Sequence, residues 1–332
     1  MKLFFVDISM SRLSDNEGKI LHSIKDILLS TMDVEEVFNP EKADAIIINE
    51  ENSFKNFRYI KDLESDKLVS AYPEKVFTIN TDDCATGLLR GLYTSLPKYR
   101  FHSRNYRSVP YMQFPNDLVF NKENDKVTPM YLASWRGNTK SNGLRQKMVR
   151  FLQSKNEFCI EKTDSWLNHN DDEKYGYVNL IRAAKFSLCP AGWAPVSFRI
   201  YESMALGKCP VIIADDFVPP QGPNWNNFAL FYPEKEIAGL SSFLLHKEYL
   251  ANDLGKNAFE AWQNYFSSDV IKEYYANTLL SLIRQAPRTS KEAELKRWKS
   301  LKLNWNNKWT MPQRLINKVQ RVIHPQSLAF KL

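Results

Sequence analysis

The chain has 332 residues, of which 43% are hydrophobic and 25% charged, and this composition excludes wholesale disorder, a collagen-like repeat and a disulfide-stapled miniprotein. Its formal net charge is +7, and the basic excess is concentrated in residues 287–332, with 11 Lys and Arg against 2 Glu. The length suits two domains, and no run approaches the ~18 apolar residues that span a bilayer. The four cysteines are widely separated, which favours a reducing compartment over a disulfide framework or a cysteine zinc site.

Short apolar runs alternate with helix-length segments in the N-terminal part of the chain. We predict strands at Leu3–Ile8, Ala45–Ile48 and Val76–Asn80, because these runs lack a clean polar alternation. Helical spacing of apolar residues predicts a helix over Asp15–Met32, and Thr81–Leu96 is also predicted to be helical after its start. This βαβα alternation is typical of an open α/β sheet with parallel strands covered on both faces.

A Pro-containing polar stretch over Val109–Thr128 interrupts this alternation, which then resumes. In chain order, the resumed pattern predicts the strand Pro129–Ala133, the helix Asn142–Leu152, the strand Phe158–Ile160, a helix across Tyr177–Ala184, the strand Phe186–Cys189, the helix Phe198–Leu206 and the strand Pro210–Ala214. Residues from about 247 to 285 are expected to be largely helical. We therefore predict an N-terminal domain over 1–125, a C-terminal domain over 126–286 and a basic C-terminal segment over 287–332.

Polar residues follow the predicted strands at the edge where open α/β sheets bind ligands, outside the carboxyl ends of the strands. In the N-terminal domain these are the acids Glu50 and Glu51 after one strand and Asp82 and Asp83 after the next. The C-terminal domain offers hydroxyl, arginine and glycine groups instead, among them Ser134, Arg136, Gly137, Pro190 and Gly192. This asymmetry suits a general base that faces an anionic leaving group. The acids are equally consistent with helix caps, with Asp82 capping the helix predicted after it.

The densest set of candidate residues lies between Cys189 and Gly207. Ser197 is placed to cap the N-terminus of the following helix, and Gly207 to end it. A helix N-terminus behind a Gly/Pro loop favours an anion, so Arg199 in the first turn can bind a phosphate and Glu202 can accept ribose hydroxyls. The alternative is a local Arg–Glu pair on one helix face. No G-x-G-x-x-G and no Walker lysine is present, which excludes dinucleotide and P-loop sites.

The run KFSLCPAGWAPVSFRIYESMALGKCPVIIADD, residues Lys185–Asp216, resembles the signature of the exostosin-type glycosyltransferases, glycosyltransferase family 47. Upstream, SWRGN at Ser134–Asn138 followed by Leu144 and Arg145 is similar to another segment of that family. The likeness extends over roughly residues 129–245. Ala191 and Lys208 differ from the residues often found at these positions in the family. These differences affect what the resemblance implies about the details of donor binding.

The resemblance implies a GT-B architecture: two Rossmann-like domains that face each other across a cleft, with a nucleotide sugar, usually UDP-linked, in the C-terminal domain. Arg199 would contact the diphosphate and Glu202 the ribose, with Arg136 and Arg145 near the phosphates or the sugar. The full set of expected donor-binding residues is Ser134, Arg136, Gly137, Arg145, Pro190, Gly192, Ser197, Phe198, Arg199 and Glu202. No metal cofactor is expected, because amides, a helix dipole and arginines would stabilise the leaving diphosphate.

Inversion requires a general base on the acceptor hydroxyl, and the N-terminal domain should supply it. Asp83 or Asp82 is the first choice because both follow a predicted strand, and Glu50 or Glu51 comes next.

The basic segment has apolar residues, including Trp298, Trp305 and Trp309, at near-helical spacing among Lys and Arg. Such helices favour the headgroup layer of anionic membranes, which a transferase acting on a lipid-linked saccharide would need. The alternative is that some of these residues pack on the body of the protein. Nucleic-acid binding is not expected, because no other part of the chain resembles such a motif.

The sequence thus predicts an inverting, metal-independent glycosyltransferase of compact bacterial type. It would move a sugar from a UDP-sugar to a glycan or lipid-linked oligosaccharide acceptor, as in O-antigen, capsule or lipooligosaccharide synthesis. We expect a cytoplasmic protein, peripheral on the inner face of the cytoplasmic membrane. Two alternatives remain open at this stage: a GT-B transferase using a GDP- or CMP-sugar, and a catalytically silent GT-B subunit that binds glycan or acts as a scaffold.

Overall fold

A computed structural model of the chain describes residues 1–6, 15–50, 59–83, 85–120, 127–164, 170–300 and 303. The described residues form two parallel β-sheets with helices packed on their faces. Short 3₁₀ turns connect several elements, at Pro40–Lys42, Asp117–Phe120, Trp225–Asn227, Glu234–Gly239 and Glu248–Leu250.

The N-terminal sheet has six strands in the order β2-β1-β3-β4-β5-β6, and each neighbouring pair is parallel. Its strands are β1 (Lys2–Phe5), β2 (Glu35–Glu36), β3 (Ala45–Asn49), β4 (Val76–Asn80), β5 (Arg90–Tyr93) and β6 (Tyr106–Ser108). The helices between them are α1 (Asp15–Thr31), α2 (Tyr59–Ser65) and α3 (Lys67–Ala71). Every residue of β3 and β4 is buried, as their unbroken apolar runs predicted.

The C-terminal sheet has five parallel strands in the order β11-β10-β9-β7-β8. They are β7 (Tyr131–Gly137), β8 (Phe158–Lys162), β9 (Ala184–Pro190), β10 (Cys209–Ile213) and β11 (Leu230–Phe231). The accompanying helices are α4 (Gly143–Leu152), α5 (Asp171–Arg182), α6 (Phe198–Ala205), α7 (Leu240–Lys247) and α8 (Ala251–Tyr265). One hydrophobic core joins this sheet to α4, α6, α7 and α8.

The helix predicted within Thr81–Leu96 is wrong. The described residues of this segment form a loop that leads into strand β5. Two glycines explain the difference. Gly87 has a left-handed backbone with φ of +69°. Gly91 lies so close to β4 that an added Cβ would be 2.1 Å from the carbonyl oxygen of Thr78. The run therefore turns at Gly87 and adds a strand to the sheet at Gly91.

Two C-terminal helices return to the N-terminal domain. Helix α9 (Ile271–Gln285) packs with α1 on one face of the N-terminal sheet, where Tyr275 and Leu279 are fully buried. Helix α10 (Lys291–Trp298) packs on the opposite face, and the Trp298 side chain has no exposed surface. Helix α9, which lies within the predicted domain 126–286, therefore packs most of its buried residues on the N-terminal core.

Candidate active site

The carboxyl ends of the two sheets meet. The amide of Lys98, which follows β5, donates to the carbonyl of Asp216, which follows β10, at 2.9 Å. The hydroxyl of Ser108 at the end of β6 donates to the carbonyl of Val218 at 2.6 Å. Two Rossmann-like domains with facing carboxyl edges are the GT-B architecture that the sequence predicted. Asp83 of the N-terminal domain and Arg145 of the C-terminal domain interact at this junction.

Helix α6 has the caps that the sequence predicted. Ser197 has an extended backbone, and its hydroxyl accepts a hydrogen bond of 3.4 Å from the amide of Arg199. Gly207 lies beyond the other end of the helix with φ of +67°. The caps fix the first turn of α6 next to the end of β9, so that its dipole favours an anion there.

The guanidinium of Arg199 is held between two aromatic rings. It lies 4.8 Å from the ring centroid of Tyr177 and 6.0 Å from that of Trp135. Its Nη2 donates to the backbone carbonyl of Arg136. Arg199 is only 8% exposed, and its Nη1 is buried without a hydrogen-bond partner. A buried cationic donor without a partner is costly, so this atom is suited to receive an anionic ligand.

The carboxylate of Glu202 lies one turn further along α6 and accepts a hydrogen bond from the hydroxyl of Tyr177. Burial raises its pKa, and the Tyr177 hydrogen bond and the charge of Arg199 act in the opposite direction. Glu202 is 4% exposed. Arg199 and Glu202 are therefore organised around the same tyrosine, and Tyr177 fixes the position of both side chains.

Arg145 on α4 spans the strand ends of the C-terminal sheet. Its guanidinium donates to the carbonyls of Ala191 at 3.0 Å, Asn138 at 3.2 Å and Pro190 at 3.4 Å. A Cβ on Gly192 would lie 2.8 Å from its Nη2, so the close approach depends on that glycine. Burial first, and then repulsion by Arg199, lowers the pKa of Arg145 to about 10. Arg145 nevertheless remains cationic at neutral pH.

Asp83 of the N-terminal domain interacts electrostatically with Arg145. Its Oδ1 accepts a hydrogen bond of 2.7 Å from the hydroxyl of Tyr111, and the Tyr111 ring lies 4.0 Å from that of Phe198, the first residue of α6. Burial raises the pKa of Asp83, while the Tyr111 hydrogen bond and the charge of Arg145 lower it. A carboxylate with a raised pKa is a better general base near neutral pH than a free aspartate.

The other candidate acids of the N-terminal domain have surroundings that differ from those of Asp83. Glu50 is 4% exposed, and its Oε2 accepts a hydrogen bond of 3.3 Å from the hydroxyl of Tyr93 inside the domain. Asp82 does not cap a helix, because none follows it. Its backbone amide donates to the side chain of Asn80 at 3.0 Å, and its carbonyl accepts from Ser95. Glu51 lies outside the described residues. The geometry favours Asp83 among these candidates.

Strand β7 is longer than predicted, and this changes the surroundings of three candidate residues. It runs through Gly137, so Ser134 lies within the strand with no exposed surface and not in a loop at its end. The Arg136 side chain forms an ion pair with Glu161 of the neighbouring strand, 3.2 Å from Nη1 to Oε2. The carbonyl of Gly137 accepts from the amide of Thr163 at 3.0 Å. The contact between Arg136 and Arg199 is thus made by the backbone carbonyl of Arg136.

The profile described as the Exostosin GT47 domain matches residues 68–246, more than half of the chain. The chain belongs to the exostosin GT47 family.

Curated relatives of this GT47 chain match over a shorter segment. The probable glucuronoxylan glucuronosyltransferase IRX7 of Arabidopsis thaliana is 37% identical over 95 residues, which are 26% of this chain and 21% of that protein. The probable beta-1,4-xylosyltransferase IRX10 of Arabidopsis thaliana is 36% identical over 85 residues, 25% of this chain and 21% of that protein. The matches thus span about a fifth of the length of these relatives.

Solved structures that match the chain include an alpha1,3-fucosyltransferase, with a TM-score of 0.41 and 14% identity over 87% of this chain and 92% of that chain. TarM gives a TM-score of 0.38 and 10% identity over 78% of this chain and 58% of that chain. The fold of the GT47 chain is established by its own two parallel sheets.

Three aromatic residues of the site were missed in the sequence. Tyr111 lies in the Pro-containing stretch between the domains, and Tyr177 lies on α5, which the sequence predicted without assigning it a role. Trp135 lies beyond the predicted strand Pro129–Ala133 but is a buried residue of β7. Their roles depend on contacts between distant parts of the chain, and periodicity contains no such information.

No group of three or more His, Cys, Asp or Glu side chains that could hold a metal ion occurs among the described residues. Cys159, Cys189 and Cys209 are free thiols. Within the same part of the chain, no helix is long and apolar enough to cross a membrane.

Proposed function

We propose that this GT47 chain is an inverting glycosyltransferase that takes a sugar from a UDP-sugar. The observation that supports this most strongly is the pair of buried guanidiniums, Arg145 and Arg199, at the N-terminus of α6. The two are close enough for Arg199 to lower the pKa of Arg145. A diphosphate between them would relieve this repulsion and provide an acceptor for the buried Nη1 of Arg199.

The reaction would use the two sides of the junction for opposite tasks. The acceptor hydroxyl attacks the anomeric carbon from the face opposite the diphosphate, and Asp83 takes its proton. The bond between the anomeric carbon and the diphosphate oxygen breaks, and UDP leaves with the electron pair. Attack from the opposite face inverts the anomeric configuration.

Stabilisation of the leaving UDP follows from the charges at α6. Arg145, Arg199 and the first amides of the helix are oriented before the substrate binds, and preorganised positive groups lower the energy of developing negative charge. We therefore propose that transfer does not require a divalent metal ion. Glu202, held by Tyr177, would accept hydroxyls of the ribose.

The choice of donor and acceptor is guided by the relatives. Two of them are named as a glucuronosyltransferase and a xylosyltransferase, so UDP-glucuronic acid and UDP-xylose are the first donors to test. The acceptor would be a glycan. Attachment of that glycan to a lipid, membrane docking and a place on the inner membrane face stay predictions. With Trp298 buried, docking would depend on residues 304–332, which lie outside the described residues.

The test is a transfer assay with a panel of UDP-, GDP- and CMP-sugars and oligosaccharide acceptors, with NMR analysis of the product's anomeric configuration. We expect transfer from a UDP-sugar with inversion. Asp83→Asn should abolish turnover while UDP still binds, because the base is separate from the diphosphate contacts. Transfer with retention, or turnover unchanged in Asp83→Asn, would contradict the proposal.

A further inference from the structure

A cavity separate from the candidate active site lies on the N-terminal domain, where the chain returns after α9. It has a volume of about 600 Å³, within the range of small-molecule sites. The N-terminal domain contributes Thr86, Gly87, Arg100, His102 and Arg104 to its wall. Four described residues after α9 also line the cavity: Pro287, Arg297, Ser300 and Leu303.

The lining of this cavity is positively charged. Three of the lining side chains are arginines, and none of the described lining residues has a carboxylate. The charge of Arg297 is matched by Glu294 on the same helix, at 2.6 Å, outside the lining. Arg104 is exposed at the cavity, next to the exposed His102. Hydroxyl donors from Ser103 and Ser300 accompany these charges, a combination suited to the oxygens of a phosphate group.

Hydrogen bonds connect the side chains that line the cavity to the backbone. Arg100 donates to the carbonyl of Ala85 at 3.2 Å, and the hydroxyl of Tyr106 donates to the carbonyl of Gly87 at 2.5 Å. Arg297 donates to the carbonyl of Leu88 and to the hydroxyl of Tyr106, the latter at 3.3 Å. Side chains that line the cavity therefore hold the backbone at Ala85, Gly87 and Leu88.

We infer that this cavity binds a phosphate group. The group could belong to a phosphorylated sugar in solution or to a phosphorylated lipid headgroup, and both present the same oxygens to the arginines. The site is distinct from the arginine pair at α6, and its ligand does not depend on the proposed donor.

The experiment compares the charge reversals Arg104→Glu and Arg150→Glu in the full chain. Arg150 is exposed on α4 of the other domain, so its reversal changes the net charge equally without touching the cavity. The soluble probe is glucose 1-phosphate, measured by calorimetry. The lipid probe is phosphatidylcholine vesicles with and without phosphatidic acid, measured by co-sedimentation.

We expect at least one probe to bind saturably. Arg104→Glu should weaken the binding of that probe by about tenfold or more, and Arg150→Glu should leave its binding unchanged. The probe that responds identifies the source of the phosphate. Equal effects of the two reversals, or no effect of Arg104→Glu on either probe, would overturn the inference. Binding of glucuronate as tight as that of glucose 1-phosphate would overturn the assignment to phosphate.

A background variant keeps this test separate from the donor site. Arg199→Ala removes a proposed diphosphate contact, so phosphate binding at the cavity on the N-terminal domain should persist in that variant. Loss of phosphate binding in Arg199→Ala would assign the probe to the donor site and overturn the inference. UDP binding by Arg104→Glu should match that of the unmodified chain, whereas failure of the donor proposal would appear as absent UDP binding by the unmodified chain.

Discussion

The hydroxyl of Tyr111 donates a hydrogen bond of 2.7 Å to Oδ1 of Asp83. The ring of the same tyrosine packs on Phe198 at the start of α6, 4.0 Å between centroids. The candidate base of one domain is thereby positioned against the helix that would hold the leaving diphosphate in the other. In the proposed reaction, the arrangement of the two domains and the position of the general base would be coupled through this tyrosine.

Tyr111→Phe should move the acidic limb of the pH profile of kcat/KM to higher pH. Burial raises the pKa of Asp83 and the Tyr111 hydrogen bond lowers it, so loss of the hydroxyl leaves the pKa higher still. A base acts when deprotonated, and activity is therefore lost as pH falls through this pKa. The ring packing on Phe198 is retained in the variant.

The matched control is Tyr93→Phe, which removes the hydroxyl that contacts Glu50. If Asp83 is the base, this change should leave the position of the limb unaltered. A limb that moves in Tyr93→Phe and not in Tyr111→Phe would assign the base to Glu50.

Arg145→Gln should weaken UDP binding by about tenfold or more, because a charged donor in a buried site is lost. Arg136→Gln should weaken it by about twofold or less. The Arg136 guanidinium forms a partly exposed ion pair with Glu161, and such pairs contribute little. Its contact with Arg199 is made by the backbone carbonyl, which glutamine also supplies. Calorimetry on the two variants checks this, and a larger loss in Arg136→Gln would reverse the two assignments.

Gly91→Ala should lower the free energy of unfolding by about 1–3 kcal/mol, because the new Cβ meets the carbonyl of Thr78. Gly143 in the first turn of α4 has no atom within 4 Å of an added Cβ, so Gly143→Ala should raise it by about 0.4–1 kcal/mol. Urea denaturation measures both. Were residues 81–96 helical, Gly91→Ala would instead be stabilising.

Trp298→Ala should lower the free energy of unfolding by about 3–5 kcal/mol. The side chain is fully buried, and its Nε1 donates to Glu294 at 3.1 Å. Tyr249→Ala, at a side chain that is 74% exposed, should change stability by about 0.5 kcal/mol or less. Equal stability of the two variants would mean that the segment after residue 287 is not part of the N-terminal core.

The predictable part of the site depends on local signals. Ser197 and Gly207 act within a few residues of themselves, and both caps of α6 were therefore correct. The short apolar runs that alternate with helix-length segments likewise predicted the strands β3 and β4. Asp83 could be placed at the junction because it follows a strand end, although the helix predicted after it was wrong.

The remaining features depend on contacts between distant segments. The buried polar residue Ser134 made β7 appear to end early. The sequence pattern predicted helices over residues 247–285, and it could not show against which domain α9 packs. The partner of Asp83 is Tyr111, and their contact exists only once the two sheets face each other.

The most direct test of the donor site is isothermal titration of the full chain with UDP, first without divalent metal and then with it. We expect saturable binding that does not change with metal, is reduced by about tenfold or more in Arg199→Ala, and is unchanged in Arg150→Gln. Absence of UDP binding, binding only with metal, or an Arg199→Ala variant that binds UDP like the unmodified chain would contradict it.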